Sequence, residues 1–212
     1  MNGTVIRRLP VLIATGAVLA LVAVLVAWWR TTEGAVNAST PGNRSAEAGF
    51  ARDMAVHHQQ AVEMSFIVRD RTDGEDVRTL AYDVINTQAN QRGMLLGRLE
   101  GWGLSKTSAE APMTWMGHGA AHEAKDGSLM PGMATNTQLD QLRKADGKDA
   151  EVLYLRLMTA HHKGGVDMAR AAVKGAEDAR LKRLAQTMVD GQRAELDLMA
   201  DMLARRGAGA GL

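Results

Sequence analysis

The sequence predicts an all-α fold made of two similar helical hairpins, and three observations support that prediction. A motif returns after 104 residues, because Arg52-Asp-Met54-Ala-Val-His57-His58 recurs as Arg156-Leu-Met158-Thr-Ala-His161-His162. Residues with high helix propensity, chiefly Ala, Leu, Met, Glu, Gln and Arg, dominate the chain beyond residue 45. No segment alternates between apolar and polar residues as a half-buried strand would. A repeat this regular indicates one structural unit used twice.

The composition excludes several classes of function. The chain of 212 residues has a net charge of +1, and its body contains no run of Lys and Arg, so we expect no nucleic-acid partner. The absence of Cys excludes disulfides, thiolate metal sites and a lipid-modified Cys. Aromatic residues are few, whereas Met is frequent, with 13 residues including the initiator.

The first element is an apolar segment, Val11–Trp29, which follows two Arg residues and contains no charge. As a helix it would be about 28 Å long, close to the thickness of the hydrocarbon core of a bilayer. Residues 1–30 are therefore predicted to be a single-pass membrane anchor with its N-terminus in the cytoplasm. The alternative is a signal peptide cleaved near Ala38, which would give a secreted protein. Both place the body on the extracytoplasmic side, after a flexible tether at residues 31–44.

The body, residues 45–207, is predicted to contain four long helices and one short helix. Ser45 suits the N-cap of the first helix, and Thr137 that of the short one. The helices are expected over about residues 46–71, 75–100, 138–145, 149–174 and 178–206. Repeat one (45–103) and repeat two (149–207) are thus hairpins, separated by a crossover that includes residues 104–134. Two hairpins with one long crossover are typical of a ferritin-like four-helix bundle.

The repeated residues fall on one narrow stripe of the first helix of each hairpin, at 100° per residue. The stripe of repeat one contains Phe50, Met54, His57, Ala61, Met64 and Val68. The stripe of repeat two contains Tyr154, Met158, His161, Gly165, Met168 and Ala172. We therefore expect His57 and His161 to point into the bundle, and His58 and His162 to lie at its flank.

Met and His together favour a soft metal ion such as Cu(I) or Ag(I), whereas Zn²⁺ would need more His, carboxylate or Cys. The candidate ligands inside the bundle are Met54, His57, His58, Met64, Met158, His161, His162 and Met168. Core packing is the alternative interpretation, because Met fills apolar cores without any cofactor. Two buried imidazoles without partners would be costly, however, which favours a metal site.

The crossover contains a second group of Met and His in polar, Gly-containing sequence, where helical periodicity does not explain them. Its candidate ligands are Met113, Met116, His118, His122, Met130 and Met133. They predict an exposed loop that captures a soft metal ion. The alternative is a loop folded back onto the bundle.

The residues of the common ferritin-like enzyme site are missing. A di-iron site needs Glu-x-x-His on two helices, but Met54 and Met158 stand three residues before His57 and His161. We therefore expect no catalytic activity. The leading hypothesis is buffering or chaperoning of Cu(I). The alternative is a non-catalytic interaction or scaffold module that binds a protein partner and uses Met and His as core.

The two His-His segments resemble the hallmark of a bacterial family called domain of unknown function 305. They read Asp53-Met54-Ala-Val-His57-His58-Gln-Gln-Ala-Val-Glu-Met64 and Leu157-Met158-Thr-Ala-His161-His162-Lys-Gly-Gly-Val-Asp-Met168. Met130-Pro-Gly-Met133 is similar to the segment between the family's repeats.

The resemblance covers about residues 45–207 and implies a ferritin-like fold in secreted or membrane-anchored bacterial proteins. Some members are associated with copper binding or copper resistance. It places the family's Met and His positions on the eight bundle ligands named above. One departure is Leu157, where repeat one has Asp53, a residue placed to orient His57.

Overall fold

The computed structural model describes residues 40–117 and 124–209. Within these ranges the predicted all-α class is confirmed, since the structure contains helices and no strand. The long helices are α1 (Ala46–Arg69), α2 (Glu75–Gly101), α4 (Gly147–Gly175) and α5 (Ala179–Arg205). A short helix, α3 (Asn136–Lys144), and a 3₁₀ turn, Thr114–Met116, lie between α2 and α4.

The capping residues explain where several helices begin. Ser45 caps α1 as predicted, because its side chain accepts a hydrogen bond from the backbone N–H of Ala48. The predicted cap of α3 at Thr137 is wrong, since Thr135 forms a capping box with Gln138. The Thr135 side chain accepts from the Gln138 backbone at 3.1 Å, and the Gln138 side chain accepts from the Thr135 backbone at 2.8 Å.

The long helices form two hairpins, α1 with α2 and α4 with α5, which pack together through α1 and α4. Their apolar side chains form two clusters. The first cluster joins the start of α1 to the end of α4, for example Met54 to Met168. The second cluster joins the end of α1 to the start of α4, for example Met64 to Met158. Helices α1 and α4 therefore run antiparallel.

In the part of the chain that the structure describes, we find no helix that combines the length and the apolar character of a membrane span. The predicted anchor or signal segment, residues 1–30, lies outside that part of the chain. So does most of the predicted tether.

Candidate metal centre

A polar layer separates the two apolar clusters on every long helix. On α1 it contains His57 and His58, and on α4 it contains His161 and His162; all four imidazoles are completely buried. We call these four residues the His layer. Helices α2 and α5 contribute Gln88 and Gln192 between the same clusters, with exposed fractions of 2% and 4%.

His57 and His161 point into the bundle, as their stripes predict, and their rings face each other across the contact between α1 and α4. The ring centroids are 3.7 Å apart, with 32° between the ring planes. The Nε2–H of His161 donates to the backbone carbonyl of His57 at 2.9 Å. Because a carbonyl only accepts, this bond fixes the His161 tautomer and leaves the Nδ1 lone pair free.

The prediction that His58 and His162 lie at the flank of the bundle is wrong. Helix α2 covers His58, whose Nε2 lies 2.9 Å from Oε1 of Gln91. Helix α5 covers His162, whose Nε2 contacts a carboxylate oxygen of Glu195. Each His-bearing helix packs against two long neighbours, so the arc that it buries is wider than one apolar stripe.

Burial keeps three of the four imidazoles, those of His57, His58 and His161, uncharged. Desolvation, reinforced by the nearby His162, lowers the pKa of His57 to about 3 against a weaker opposing effect of the Pro131 carbonyl. Desolvation and the neighbouring His57 lower the pKa of His58 to about 3. The pKa of His161 is also well below its usual value, for the same reasons. Neutral imidazole is the form that binds metal ions, so these three residues are in the coordinating state near neutral pH.

Many polar atoms of the layer have no hydrogen-bond partner among the described residues. They include Nδ1 of all four histidines, Nε2 of His57, and both amide atoms of Gln88 and Gln192. Leaving a buried polar group unpaired costs about 1–3 kcal/mol, so such atoms in a native fold call for an explanation such as an ion or water. A set of buried nitrogen atoms without hydrogen-bond partners fits a metal ion.

The thioethers of the bundle lie on both sides of the layer. Met54 and Met168 belong to the first cluster, and Met64 and Met158 belong to the second. All four are completely buried. The structure therefore divides the four predicted Met ligands into two pairs rather than gathering them at one point.

The crossover is folded back onto the bundle, so the prediction of an exposed Met loop is wrong for the part that the structure describes. Met113 and Met130 are only 8% and 1% exposed. Met116 and Met133 are partly buried against the first cluster. The other two predicted loop ligands, His118 and His122, lie outside the described residues.

Asp53 attaches the crossover to α1. Its carboxylate accepts hydrogen bonds from the backbone N–H of Met113 at 2.7 Å and from Nε1 of Trp115 at 2.8 Å. Trp115 packs edge-on against Phe50, in space left by the missing side chain of Gly49. The prediction that Asp53 orients His57 is therefore wrong, because both hydrogen bonds found for this carboxylate go to the loop.

The Met130-Pro-Gly-Met133 turn lies against the His layer. Gly132 has a φ of +83°, and its Cα approaches the backbone of Ala160 and His161 so closely that a Cβ would clash. On α4, Gly164 leaves the same kind of space for the Pro131 carbonyl. The Gln60 side chain of α1 fixes the other end of the turn, because it exchanges two hydrogen bonds, of 2.9 and 2.7 Å, with the backbone of Ala134.

In the part of the chain that the structure describes, His and carboxylate side chains alone do not form a metal centre. In residues 40–117 and 124–209 no three His, Asp or Glu side chains converge as ligands. Coordination by the Nδ1 atoms would therefore need rotation of the rings or help from Met sulfur. Neutral nitrogen and thioether sulfur are the ligands that Cu(I) prefers, so the donor chemistry fits a soft ion.

Sequence reasoning missed four polar residues that contact or flank the His layer. They are Gln88, Gln91, Gln192 and Glu195. The signal was available, because Gln88 recurs as Gln192 and position 91 as position 195 at the same offset of 104 residues.

Comparison with known proteins identifies a matching family and solved structures with a similar fold. The family described as Domain of unknown function (DUF305) matches residues 47–203. A protein from Streptomyces coelicolor, provisionally described as a secreted DUF305 protein, is 57% identical; the match covers 81% of this chain and 99% of that one, with a TM-score of 0.75. A DUF305 fragment from Deinococcus radiodurans is 28% identical over 76% of this chain and 96% of that one, with a TM-score of 0.63.

A more distant likeness is to CopM in its Cu(I)-bound form. It is 20% identical, and the match covers 76% of this chain and 96% of that one, with a TM-score of 0.58. Cu(II)-bound and Ag-bound forms of CopM match as well. This likeness concerns the fold alone. No curated protein matched the chain.

Proposed function

The chain belongs to the DUF305 family, and from that premise we propose that it is an extracytoplasmic protein that binds Cu(I) and buffers or chaperones it. The observation that carries the proposal is the His layer, in which every Nδ1 is buried and lacks a hydrogen-bond partner among the described residues. The pairs Met54 with Met168 and Met64 with Met158 flank the layer and would supply thioether sulfur.

The comparison with CopM supports the choice of metal. CopM binds Cu(I), Cu(II) and Ag in solved structures, and its fold matches this chain. In this chain neutral imidazoles occur beside Met, and that ligand set favours Cu(I) over Mg²⁺, Ca²⁺ or Mn²⁺. We include Met113, Met116, Met130 and Met133 of the crossover, together with His118 and His122, as secondary ligands.

The location and the architecture belong to the same proposal. The Streptomyces coelicolor relative is provisionally described as secreted, which supports an extracytoplasmic body. Residues 1–30 would deliver it there, as a retained anchor or as a signal peptide cleaved near Ala38. The two hairpins with their single crossover would form a ferritin-like bundle that binds its cargo without catalysing a reaction.

A Cu(I) competition titration tests the proposal. The full-length chain is titrated under reducing conditions against a chromogenic Cu(I) chelator, and stoichiometric binding tighter than micromolar is expected. The His57→Leu/His161→Leu variant should bind at least about tenfold more weakly, a loss of about 1.4 kcal/mol of binding free energy. Substituting Leu keeps the site filled, so circular dichroism should show an intact helical fold.

A matched control separates ligands from surface thioethers. Met94 is 53% exposed on α2, so Met94→Leu should leave the affinity unchanged. The variants Met54→Leu/Met168→Leu and Met64→Leu/Met158→Leu should reveal which pair supplies sulfur. If the parent chain binds no Cu(I), the proposal fails, and the layer is the core of a scaffold module instead.

A further inference from the structure

The two repeats have different residues at the pair of equivalent positions whose side chains contact His58 and His162. Gln91 on α2 and Glu195 on α5 are separated by 104 residues, as are their partners His58 and His162. Each partner imidazole uses Nε2 for the contact and keeps a buried Nδ1 that has no hydrogen-bond partner among the described residues. The geometry is therefore the same in both repeats, but one contact is to an amide and the other to a carboxylate.

The carboxylate of Glu195 contacts the His162 imidazole. Within the described residues, the one hydrogen-bond partner found for the Glu195 carboxylate is Nε2 of this imidazole. The Glu195 side chain is 22% exposed and His162 is completely buried, so the carboxylate keeps some solvent contact while it holds the ring from outside.

The two partners act differently on an imidazole. A carboxylate oxygen accepts the hydrogen bond from Nε2, so Glu195 favours the His162 tautomer that has its hydrogen on Nε2 and its lone pair on the buried Nδ1. A Gln side chain can present its oxygen or its NH₂ group, so Gln91 fixes the His58 tautomer less firmly. Carboxylate partners also make a histidine a better metal ligand, and their removal commonly costs about 10- to 100-fold in metal affinity.

We propose that Glu195 is a positioning residue that makes His162 a stronger Cu(I) ligand than His58, so that repeat two binds the first equivalent of Cu(I). This inference rests on the proposed function, because it assigns an order to ligands of the same site. It predicts that the two halves of the layer are unequal despite their common geometry.

An exchange of the two partners tests the inference in the full-length chain. In the parent chain, His162→Leu should weaken binding of the first Cu(I) equivalent more than His58→Leu does. E195Q should weaken that binding by about 10- to 100-fold. In the double variant Q91E/E195Q the order should invert, so that His58→Leu becomes the more damaging change. A purely structural role of Glu195 would not produce this inversion.

A spectroscopic measurement tests the inference even if a Leu variant fails to fold, because it uses the metal-free parent chain and Q91E. In the metal-free parent chain, ¹⁵N chemical shifts of the imidazoles should show His162 as a single Nε2–H tautomer, and Q91E should give His58 the same signature. Equal losses from His58→Leu and His162→Leu, or an unchanged affinity in E195Q, would overturn the inference while leaving the proposed function intact. Absence of Cu(I) binding by the parent chain would overturn both.

Discussion

The two repeats are alike where they form the His layer and different where the crossover contacts them. His57 and His161 occupy equivalent positions and stack on each other. Positions 60 and 164 are also equivalent, yet Gln60 binds the backbone of Ala134 whereas Gly164 makes room for the Pro131 carbonyl. Helix α1 therefore binds the turn through a hydrogen-bonding side chain, whereas α4 lets the turn approach closely because a side chain is missing.

The same contrast explains Asp53 and Leu157. Asp53 binds Met113 and Trp115 of the crossover, whereas Leu157 is buried in the second apolar cluster. The chain has a single crossover, so only one repeat needs the carboxylate. Asp53 and Gln60 thus make contacts to the crossover that occur once, whereas the recurring histidines form the shared layer.

The largest expected effect is loss of stability in mild acid, which tests the layer that both repeats share. The folded-state pKa of His57 and of His58 is about 3, and that of His161 is also lowered, whereas an unfolded histidine has a pKa of about 6.5. As the pH falls below about 6.5, protons bind the unfolded chain preferentially, so stability present above that pH is lost on the way towards pH 3. Between pH 7 and pH 5 we expect His57 and His58 each to lower the free energy of unfolding by about 2 kcal/mol, and His161 to act in the same direction.

Urea unfolding at the two pH values measures this loss. His57→Leu/His161→Leu should show a shallower dependence on pH than the parent chain, because two of the titrating groups are gone. A dependence that is equally steep in both would assign the acid sensitivity to groups outside the stacked pair.

The next effect is smaller and concerns the turn that both repeats hold. In Gly164→Ala the new Cβ would meet the Pro131 carbonyl, so we expect a loss of about 1–3 kcal/mol in unfolding free energy. Gly97 on α2 has open space around it, and Gly97→Ala should instead stabilise the helix by about 0.5–1 kcal/mol. The midpoint temperatures of thermal unfolding of the two variants should shift in opposite directions. Equal shifts would mean that the turn moves away from the new methyl group at no cost in stability.

The smallest effect is expected at the asymmetric attachment of the crossover. Asp53→Leu gives repeat one the residue type found in repeat two and removes the acceptor of two hydrogen bonds. We expect it to destabilise the fold by about 1–2 kcal/mol and to speed proteolysis between residues 104 and 134. Leu157→Ile, which changes the shape of a side chain in the second cluster and removes no hydrogen bond of the crossover, is the control that should leave the proteolysis rate unchanged.

Periodicity in the sequence was sufficient for the helices, for the repeat and for the inward direction of His57 and His161. It failed for His58 and His162, because their burial depends on α2 and α5, which cover one side of α1 and α4. The periodicity of α1 or α4 alone does not show which neighbouring helix packs against that side. It also failed for the crossover, since a loop has no period from which the burial of Met113, or its hydrogen bond to Asp53, could be inferred. The burial of His58 and His162 and the packing of the crossover depend on contacts between different helices and loops, not on the residue pattern within one helix.

The stack of His57 on His161 also bears on how many ions the chain can hold. These residues occupy equivalent positions and touch, so an ion bound between their rings would be shared by both repeats and counted once. An ion bound by residues of a single repeat would have a counterpart in the other at saturation. An odd stoichiometry at saturation would therefore indicate an ion shared between the two rings.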